Sequence, residues 1–399
     1  MNNAERIYSE LKSENANIWY IADKFGSKVM IKAPEISLKA ILRGCRLSFI
    51  FGGDDITETI FFHAGIKIYD DVQQPLIVTG ILRYRDEHSS LETILKNKST
   101  PLQLFNELDV CVATGKITIK KEEAQRILSL LGEIDSLYSG EFKQSTIASL
   151  DRFDESINKA HDGNSTLIIH VDEINPNISD WVTMNNHFCG EREHYQINID
   201  SADEGFILEG QIWYSLDSAF GNHLYKGPQI NKNGKQRELT DVLAYYELGL
   251  FLIESKTAAV FSAQENKSVE KKIASIQKQI IKGINQVVGA CKALKDNYTV
   301  YDSRGLALEL NRKTIPHCIV LVSEILHSGD WTNIDKRMID AAKKNNIFLH
   351  VMDLAEFILI LKASSGKKEV FDYNLMKRFE QWVQHKTIHM RSRVRTDSN

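Results

Sequence analysis

Apolar residues recur along the chain with two periods, one typical of strands and one typical of helices. Over about the first 140 residues, short apolar runs between turn residues predict strands, and helical spacing follows near residues 88–97 and 121–137. The expected strands are NIWYIAD, KVMIKA, CRLSFIFG, TIFFHAGIKIY and QPLIVTGILRY, followed by a helix that ends near residue 161 and a strand in STLIIHVDEI. These elements predict a compact α+β unit.

From about residue 200 the predicted order is helix, hairpin, long helix, strand, helix, strand. The first helix has an apolar stripe over residues 206–220, and Glu209 lies within that stripe. The longest apolar stripe predicts a helix over about residues 266–295. After it, the runs IPHCIVLVSEI and NIFLHVMDL predict two buried strands with a helix at 333–345 between them. A strand, helix, strand order favours parallel pairing in an α/β sheet that is covered on both faces.

The hairpin RELTDVLAYYELGLFLIESKTA, residues 237–258, carries charge where buried strands normally have none. Opposed residues of an antiparallel hairpin have a constant index sum. With the turn midway between the two apolar runs the sum is 495, which sets Asp241 opposite Glu254 with Cβ atoms roughly 5 Å apart. The strand period of two then places Lys256 on the face of Glu254, and Ser255 on the other face.

Two carboxylates this close repel each other, and burial makes it harder still to ionise both. A divalent cation removes the conflict, and carboxylate oxygens are ligands suited to Mg²⁺ or Mn²⁺. Such a metal lowers the pKa of a bound water and stabilises charge on a phosphodiester during cleavage. Lys256 would position that water and offset the developing negative charge. The alternative interpretation is a salt-bridge ladder of Asp241, Glu254 and Lys256 on an exposed strand.

Asp241, followed by Glu254-Ser255-Lys256 and flanked by a Glu-bearing helix and a long amphipathic helix, resembles the PD-(D/E)XK nuclease superfamily. The resemblance covers about residues 200–355. It implies a restriction-endonuclease-like αβββαβ core, with a mixed sheet flanked by helices, and Mg²⁺-dependent hydrolysis of DNA or sometimes RNA. It also implies that Asp241, Glu254 and Lys256 are catalytic, with the two acids as metal ligands.

The resemblance further implies a metal-ligating Glu on the helix that precedes the hairpin. Glu209 matches this position best, and Glu204 is the second choice. Some branches of the superfamily add a Gln on the helix that follows the hairpin, for which Gln279 and Gln286 are the candidates. The sequence departs from the usual motif at Thr240, which stands where the family commonly has Pro.

The net charge of −4 does not itself indicate a nucleic-acid binder, but the charge is unevenly distributed. Between residues 265 and 295 there are seven lysines and two glutamates, and residues 386–395 carry four basic residues and no acid. On the long helix, Lys278 and Lys282 lie one turn apart and could hold phosphates, with Gln279 and Gln286 as hydrogen-bonding partners of the backbone. A solvated helix face and a frayed terminus are the alternative interpretation.

The five cysteines of the 399 residues are unclustered, which is typical of reduced thiols in a cytoplasmic protein. The charged N-terminus is unlike a secretory signal, and the apolar runs are too short to span a membrane. We expect an α+β domain at 1–142, a connecting segment at 143–199, a nuclease-like domain at 200–365, and a helix with a basic tail at 366–399.

The sequence therefore predicts a Mg²⁺- or Mn²⁺-dependent nuclease, with DNA as the favoured substrate and a role in restriction or phage defence. The alternative is a catalytically inactive module of the same fold that binds nucleic acid or protein. We expect no association with membranes, and a homo-oligomer or a partner protein held through the N-terminal domain.

Overall fold

The structure, a computed structural model, describes residues 3–55, 59–71, 74–161, 168–190, 194–257, 269–326 and 328–392. The chain divides into two compact units. Unit 1 consists of residues 1–185 and 198–200, and unit 2 consists of residues 186–197 and 201–399. Both combine helices with sheets, so the protein is a mixed α/β protein as the sequence predicts.

Unit 1 contains a five-stranded sheet in the order β1-β2-β6-β7-β9 and a four-stranded sheet in the order β5-β4-β3-β8. Its strands are β1 (Asn17–Asp23), β2 (Gly26–Lys32), β3 (Leu47–Asp54), β4 (Phe61–Ile68), β5 (Leu76–Leu82), β6 (Ser99–Phe105), β7 (Cys111–Thr118), β8 (Val171–Ile174) and β9 (Asn177–Thr183). Its helices are α1 (Asn3–Ser13), α2 (Glu35–Leu42), α3 (Arg85–Asn97), α4 (Lys121–Leu131) and α5 (Gln144–His161).

The segment 143–199, predicted as a connection, contributes α5, β8 and β9 to unit 1. Phe153 and Ile157 of α5 are buried against Ile50 of β3. β8 pairs antiparallel with β3, and β9 with β7. The predicted strand in STLIIHVDEI is seen only as its last four residues, β8, and its first three residues lie outside the described residues.

Unit 2 contains a five-stranded sheet in the order β12-β15-β16-β18-β19 and a smaller sheet in the order β14-β13-β17. Its strands are β10 (Asn185–Cys189), β11 (His194–Asn198), β12 (Leu224–Lys226), β13 (Gln229–Lys232), β14 (Lys235–Glu238), β15 (Val242–Tyr245), β16 (Leu250–Lys256), β17 (Val300–Tyr301), β18 (His317–Val322) and β19 (Phe348–Asp353). Its helices are α6 (Glu204–Phe220), α7 (Val269–Lys295), α8 (Thr332–Asn345), α9 (Leu354–Ala363) and α10 (Lys368–His385).

The five-stranded sheet of unit 2 is mixed. β12, β15 and β16 are antiparallel neighbours, whereas β16, β18 and β19 are parallel. Parallel neighbours need a crossover, and α7 and α8 provide the two crossovers. β16 is buried along its whole length, with Leu250 and Leu252 packed in one core with the apolar stripe of α7. On the other face of β16, the Phe251 ring contacts the Phe220 and Phe371 rings.

Candidate functional site

The hairpin of β15 and β16 brings the three predicted catalytic residues together. Val242 pairs with Ile253, so the register has the index sum of 495. Asp241 directly precedes β15, and its backbone carbonyl accepts a hydrogen bond of 2.8 Å from the Gly227 N–H. Glu254 and Lys256 lie at the C-terminal end of β16, two residues apart and therefore on the same face of the strand. The site is therefore at the end of the central strand.

The Lys256 ammonium lies between the two acids. It donates hydrogen bonds of 2.8 Å to Glu254 Oε2 and to the Ser255 carbonyl, and lies 3.6 Å from Asp241 Oδ2. Glu254 is only 2% exposed and Lys256 only 9%. A charge this deeply buried needs a partner of opposite sign, so the lysine and Glu254 depend on each other.

Asp241 has a second set of contacts that the hairpin register did not predict. Its Oδ2 atom accepts hydrogen bonds from the Ser255 N–H at 2.7 Å and from the Ser255 hydroxyl at 2.9 Å. The ladder between the two strands ends at the pairing of Val242 with Ile253. The Ser255 N–H therefore has no partner carbonyl on β15, and a buried N–H requires an acceptor. The Asp241 carboxylate provides it, so it turns toward Ser255 as well as toward Lys256.

Thr240, at the position of the motif proline, also joins the two strands. Its side chain is buried, and its hydroxyl donates a hydrogen bond of 2.8 Å to the Ile253 carbonyl. A proline here could not make this contact. Thr240, which directly precedes Asp241, is thus attached to β16 by a side-chain hydrogen bond.

Glu209 of α6 reaches the same region, and two further residues join it. The Lys226 ammonium, at the end of β12, lies 3.5 Å from Glu209 Oε2. Lys226 pairs in the sheet with Val242, the neighbour of Asp241. Glu238, at the end of β14, lies beside Gly227, where an added Cβ atom would come within 3.2 Å of its Oε1 atom. Neither Lys226 nor Glu238 belongs to the motif, so the sequence alone did not indicate them.

The pKa values of three acids at the site are raised. Burial raises the pKa of Glu254, and the nearby negative charge of Asp241 raises it further, against the lowering effect of Lys256. Burial also raises the pKa of Glu209, and again Asp241 adds to the effect. For Glu238, burial comes first, followed by the charges of Asp241 and Glu209. The negative charges of neighbouring acids thus contribute to the raised pKa values, and a bound cation would stabilise the ionised carboxylates.

The donor set of the site includes two carboxylates of the kind that a divalent metal ion binds. Among the described residues, no group of three or more His, Cys, Asp or Glu side chains is arranged to hold a metal ion. Mg²⁺, however, commonly takes one or two carboxylates and completes its shell with water and substrate oxygens. Asp241 and Glu254 fit that requirement as a pair, and Glu209 does not form a three-acid group with them in this arrangement. In this arrangement the cation close to both Asp241 and Glu254 is the Lys256 ammonium.

Helix α7 passes over the site through a close contact at Gly283. A Cβ atom at this position would lie 2.6 Å from Val320 Cγ1 and 3.4 Å from Lys256 Cγ. The close approach to Val320 of β18 therefore requires glycine at this position, and the lysine stem lies in van der Waals contact beside it. Gln279 is one helical turn from Gly283 on the same face and is half-buried.

The remaining predicted binding residues lie on the outer side of α7. Lys278, Lys282 and Gln286 are exposed. Glu204, the second choice for the helix acid, lies in the first turn of α6. Glu209, and not Glu204, appears among the charges that act on Glu238.

The basic tail is partly engaged in the fold. The Arg391 guanidinium binds both carboxylate oxygens of Asp353, at 2.7 and 2.5 Å. The Ser392 N–H and hydroxyl donate to Glu356, which also accepts from the buried Arg378. Bidentate pairing of this kind is among the strongest of side-chain interactions, so Arg391 has a structural role in the fold. The other two predicted tail arginines lie outside the described residues.

A second polar cluster lies at the opposite ends of the parallel strands. His317, the first residue of β18, hydrogen-bonds His350 of β19 at 3.0 Å and Asp372 of α10 at 2.9 Å. The Tyr246 hydroxyl donates to the other oxygen of Asp372 at 2.6 Å. Burial lowers the pKa of His350 well below its usual value, and the positive charges of His317 and of a nearby arginine lower it further. This cluster ties α10 to the sheet.

The chain was compared with family models, with curated proteins and with solved structures, and no match was found. Within the described ranges, no helix has the length and apolar character needed to cross a membrane. The geometry of the site is therefore the basis for any proposed function.

Proposed function

We propose that unit 2 is a metal-dependent nuclease domain of the PD-(D/E)XK kind that hydrolyses phosphodiester bonds in nucleic acid, with DNA as the favoured substrate. One observation carries the proposal: Asp241, Glu254 and Lys256 converge on one strand end, with the ammonium within 3.6 Å of one carboxylate and 2.8 Å of the other. These are the three residue types that the resemblance assigns to catalysis.

The order of elements around the site supports the same proposal. A helix, three antiparallel strands, a crossover helix and a parallel strand follow one another as α6, β12, β15, β16, α7 and β18. This succession supports the αβββαβ core that the resemblance implies, with the β13–β14 hairpin and the short strand β17 as insertions. The active acids of such a core lie where β15 and β16 part, which is where Asp241 and Glu254 are found.

Each side chain has a role that its surroundings permit. Asp241 and Glu254 would hold Mg²⁺ or Mn²⁺, with Glu209 from α6 as a further ligand. The metal, when bound, supplies an activated water and charge stabilisation at the phosphodiester. Lys256, which is held by Glu254, would position the attacking water and offset the developing negative charge. Ser255 fixes the orientation of Asp241 through two hydrogen bonds.

Helix α7 would hold the substrate backbone beside this site. Gly283 fixes the helix against Lys256, and Gln279 is the polar residue one turn away. Lys278 and Lys282 follow on the exposed side. Contacts from such lysines to phosphates position a substrate without reading its sequence.

The test is to incubate the purified protein with plasmid DNA, linear DNA and RNA, in Mg²⁺, in Mn²⁺ and in EDTA. We expect cleavage that requires the metal. The variants Asp241→Ala, Glu254→Ala and Lys256→Ala should each lose at least about 100-fold in rate, since each removes a group that stabilises developing charge. The matched control is Glu309→Ala, which removes an exposed acid of unit 2 and should leave the rate unchanged. Full activity in all three site variants would contradict the proposal.

A second candidate function is favoured by a specific observation. The Lys256 ammonium already contacts both acids and offsets one of their two negative charges, and Ser255 already donates to Asp241 Oδ2. A salt-bridged site of this kind also suits a catalytically inactive module that binds nucleic acid or protein. Nucleic-acid binding without cleavage, together with a melting temperature that Mg²⁺ and Mn²⁺ leave unchanged, would favour this second function.

A further inference from the structure

A β-ribbon projects from unit 2 directly before Asp241. It consists of β13 and β14, joined by a two-residue turn at Asn233 and Gly234. Both turn residues have positive φ, 53° and 72°, as expected for the type I′ turn whose twist matches that of a hairpin. The ribbon is therefore a well-defined hairpin and not a loose loop.

The ribbon carries only positive charge from Gln229 to Arg237. Lys232, Lys235 and Arg237 are the charged residues of this stretch, Glu238 follows at the end of β14, and β14 is exposed along its whole length. Lys235 lies directly opposite Lys232 in the register. Like charges that face each other across a hairpin destabilise it, and a polyanion bound along the ribbon would remove that repulsion.

The base of the ribbon is fixed to the core and to the acidic site. Ile230 of β13 is 5% exposed and pairs with Val300 of β17. The Leu239 N–H donates to the Pro228 carbonyl at 2.8 Å. The Asp241 backbone is held in turn by Gly227, at the start of the ribbon. The cations of the ribbon are thus carried on a rigid element that begins at the candidate site.

The acidic site can hold a phosphate backbone only if a positively charged surface lies nearby. Glu209, Glu238, Asp241 and Glu254 repel an approaching phosphate, and Lys226 and Lys256 are the cations paired among them. A two-stranded ribbon also has a width that fits the major groove of duplex DNA. A basic ribbon next to this site would hold the backbone on either side of the bond to be cut.

We propose that the β13–β14 ribbon is a nucleic-acid contact, in which Lys235 and Arg237 bind backbone phosphates of the strand that is presented to the acidic site. The inference rests on the proposed nuclease function and names the surface that holds the substrate. It assigns to the ribbon a role that the motif residues do not provide.

The experiment compares Lys235→Ala/Arg237→Ala with the wild-type protein. The matched control, Lys313→Ala/Lys343→Ala, removes the same charge from two exposed positions elsewhere in unit 2. Binding of a labelled DNA duplex is measured in EDTA between about 50 and 200 mM salt, and cleavage of the same duplex is measured in Mg²⁺. Circular dichroism and thermal denaturation establish that each variant is folded.

We expect the ribbon variant to bind more weakly, with the slope of log affinity against log salt reduced by about 1.8, since each lost phosphate contact on duplex DNA contributes about 0.9. That reduction corresponds to about tenfold in affinity across this fourfold range of salt. The control should keep the wild-type slope. Reduced binding in the ribbon variant alone would support the proposal.

Two results would overturn the ribbon proposal. One is an unchanged slope in the ribbon variant, and the other is an equal loss in the control. If the wild-type protein cleaves DNA while the ribbon variant binds normally, the ribbon proposal fails and the nuclease function stands. If the wild-type protein binds through the ribbon but never cleaves in Mg²⁺ or Mn²⁺, the nuclease function fails and the ribbon contact stands.

Discussion

Replacing Lys256 with Met tests how the two acids at the site are held. The variant keeps the length of the side-chain stem, which packs near Gly283, and removes the ammonium. Glu254, 2% exposed, is then left without the donor 2.8 Å away, and Asp241 loses the cation at 3.6 Å. Breaking a buried ion pair by removing one partner costs about 3 to 5 kcal/mol.

This loss should be visible in the thermal unfolding of unit 2. The unit contains about 210 residues, and for that size each kcal/mol shifts the melting temperature by about 2 to 4 °C. We therefore expect Lys256→Met to melt roughly 6 to 20 °C below the wild-type protein at neutral pH. Differential scanning calorimetry without divalent metal is the appropriate assay.

Two controls separate the ion pair from general damage. The double variant Glu254→Gln/Lys256→Met removes both buried charges and should recover most of the lost stability, because no uncompensated charge remains. Lys226→Met removes a cation that is more exposed, with 27% of its side chain accessible, and pairs with Glu209 at 3.5 Å. Its loss should cost less than about 1 kcal/mol.

The pH dependence has a defined sign. The pKa of Glu254 is raised in the folded protein by burial and by Asp241, so the unfolded chain binds fewer protons on Glu254 just above its ordinary value near 4.5. Stability from this group is therefore greatest at low pH and falls as the pH rises through the folded-state pKa. Without Lys256 that pKa rises further, so the deficit of Lys256→Met should shrink on acidification. A variant as stable as the wild type at neutral pH would refute this account of the site.

Other predictions concern the helices and the second polar cluster. Gly283→Ala should cost about 1 to 3 kcal/mol in urea unfolding, because its Cβ atom would lie 2.6 Å from Val320 Cγ1. Gly289→Ala, on the same helix with no atom within 4 Å of the added Cβ, should instead stabilise by up to about 1 kcal/mol. Equal effects of the two would contradict the packing argument. His350, whose pKa lies well below its usual value of 6.5, should make unit 2 less stable as the pH falls below about 6.5, where the unfolded chain takes up the proton first. Urea midpoints that stay constant down to pH ~5 would count against that role.

Much of unit 2 could be predicted because its pattern and its packing agree. The apolar stripe of α7 and the runs of β18 and β19 are buried as their periods indicate. The index sum of the hairpin is that of the observed pairs. What the register could not show is the carboxylate of Asp241 turning to Ser255, because that contact depends on where the ladder stops.

Unit 1 was harder to predict from local pattern. β6 contains Pro101, and a proline weakens the prediction of a strand although it is tolerated where no ladder hydrogen bond is needed. β9 has mostly half-exposed or exposed residues, so its apolar signal is weak. β9 forms through pairing with β7, and β6 pairs with β2 as well as with the neighbouring β7, so each strand has a partner that is distant in sequence. Local pattern cannot specify such pairing.

The acidic site also contains residues that no motif identifies. Lys226 ends β12, before the β13–β14 ribbon, and Glu238 ends β14 at the base of the ribbon, and only the fold brings them beside Glu209 and Asp241. The ribbon itself had a readable signal, since Asn233-Gly234 is the strongest short-range indication of a tight hairpin. The functional interpretation of the ribbon depends on the acids of the site, which come together only in the fold.

The docking of residues 391 and 392 has a consequence for how unit 2 is made. Arg391 and Ser392 complete the hydrogen bonding of two buried carboxylates, Asp353 and Glu356. During synthesis the strand and helix that carry these acids leave the ribosome before Arg391 and Ser392 do. Unit 2 thus reaches its final pairing only after residue 392 has emerged. A shortened version that stops at the end of α10 would leave both acids without these partners, so expression of unit 2 alone should extend at least to Ser392.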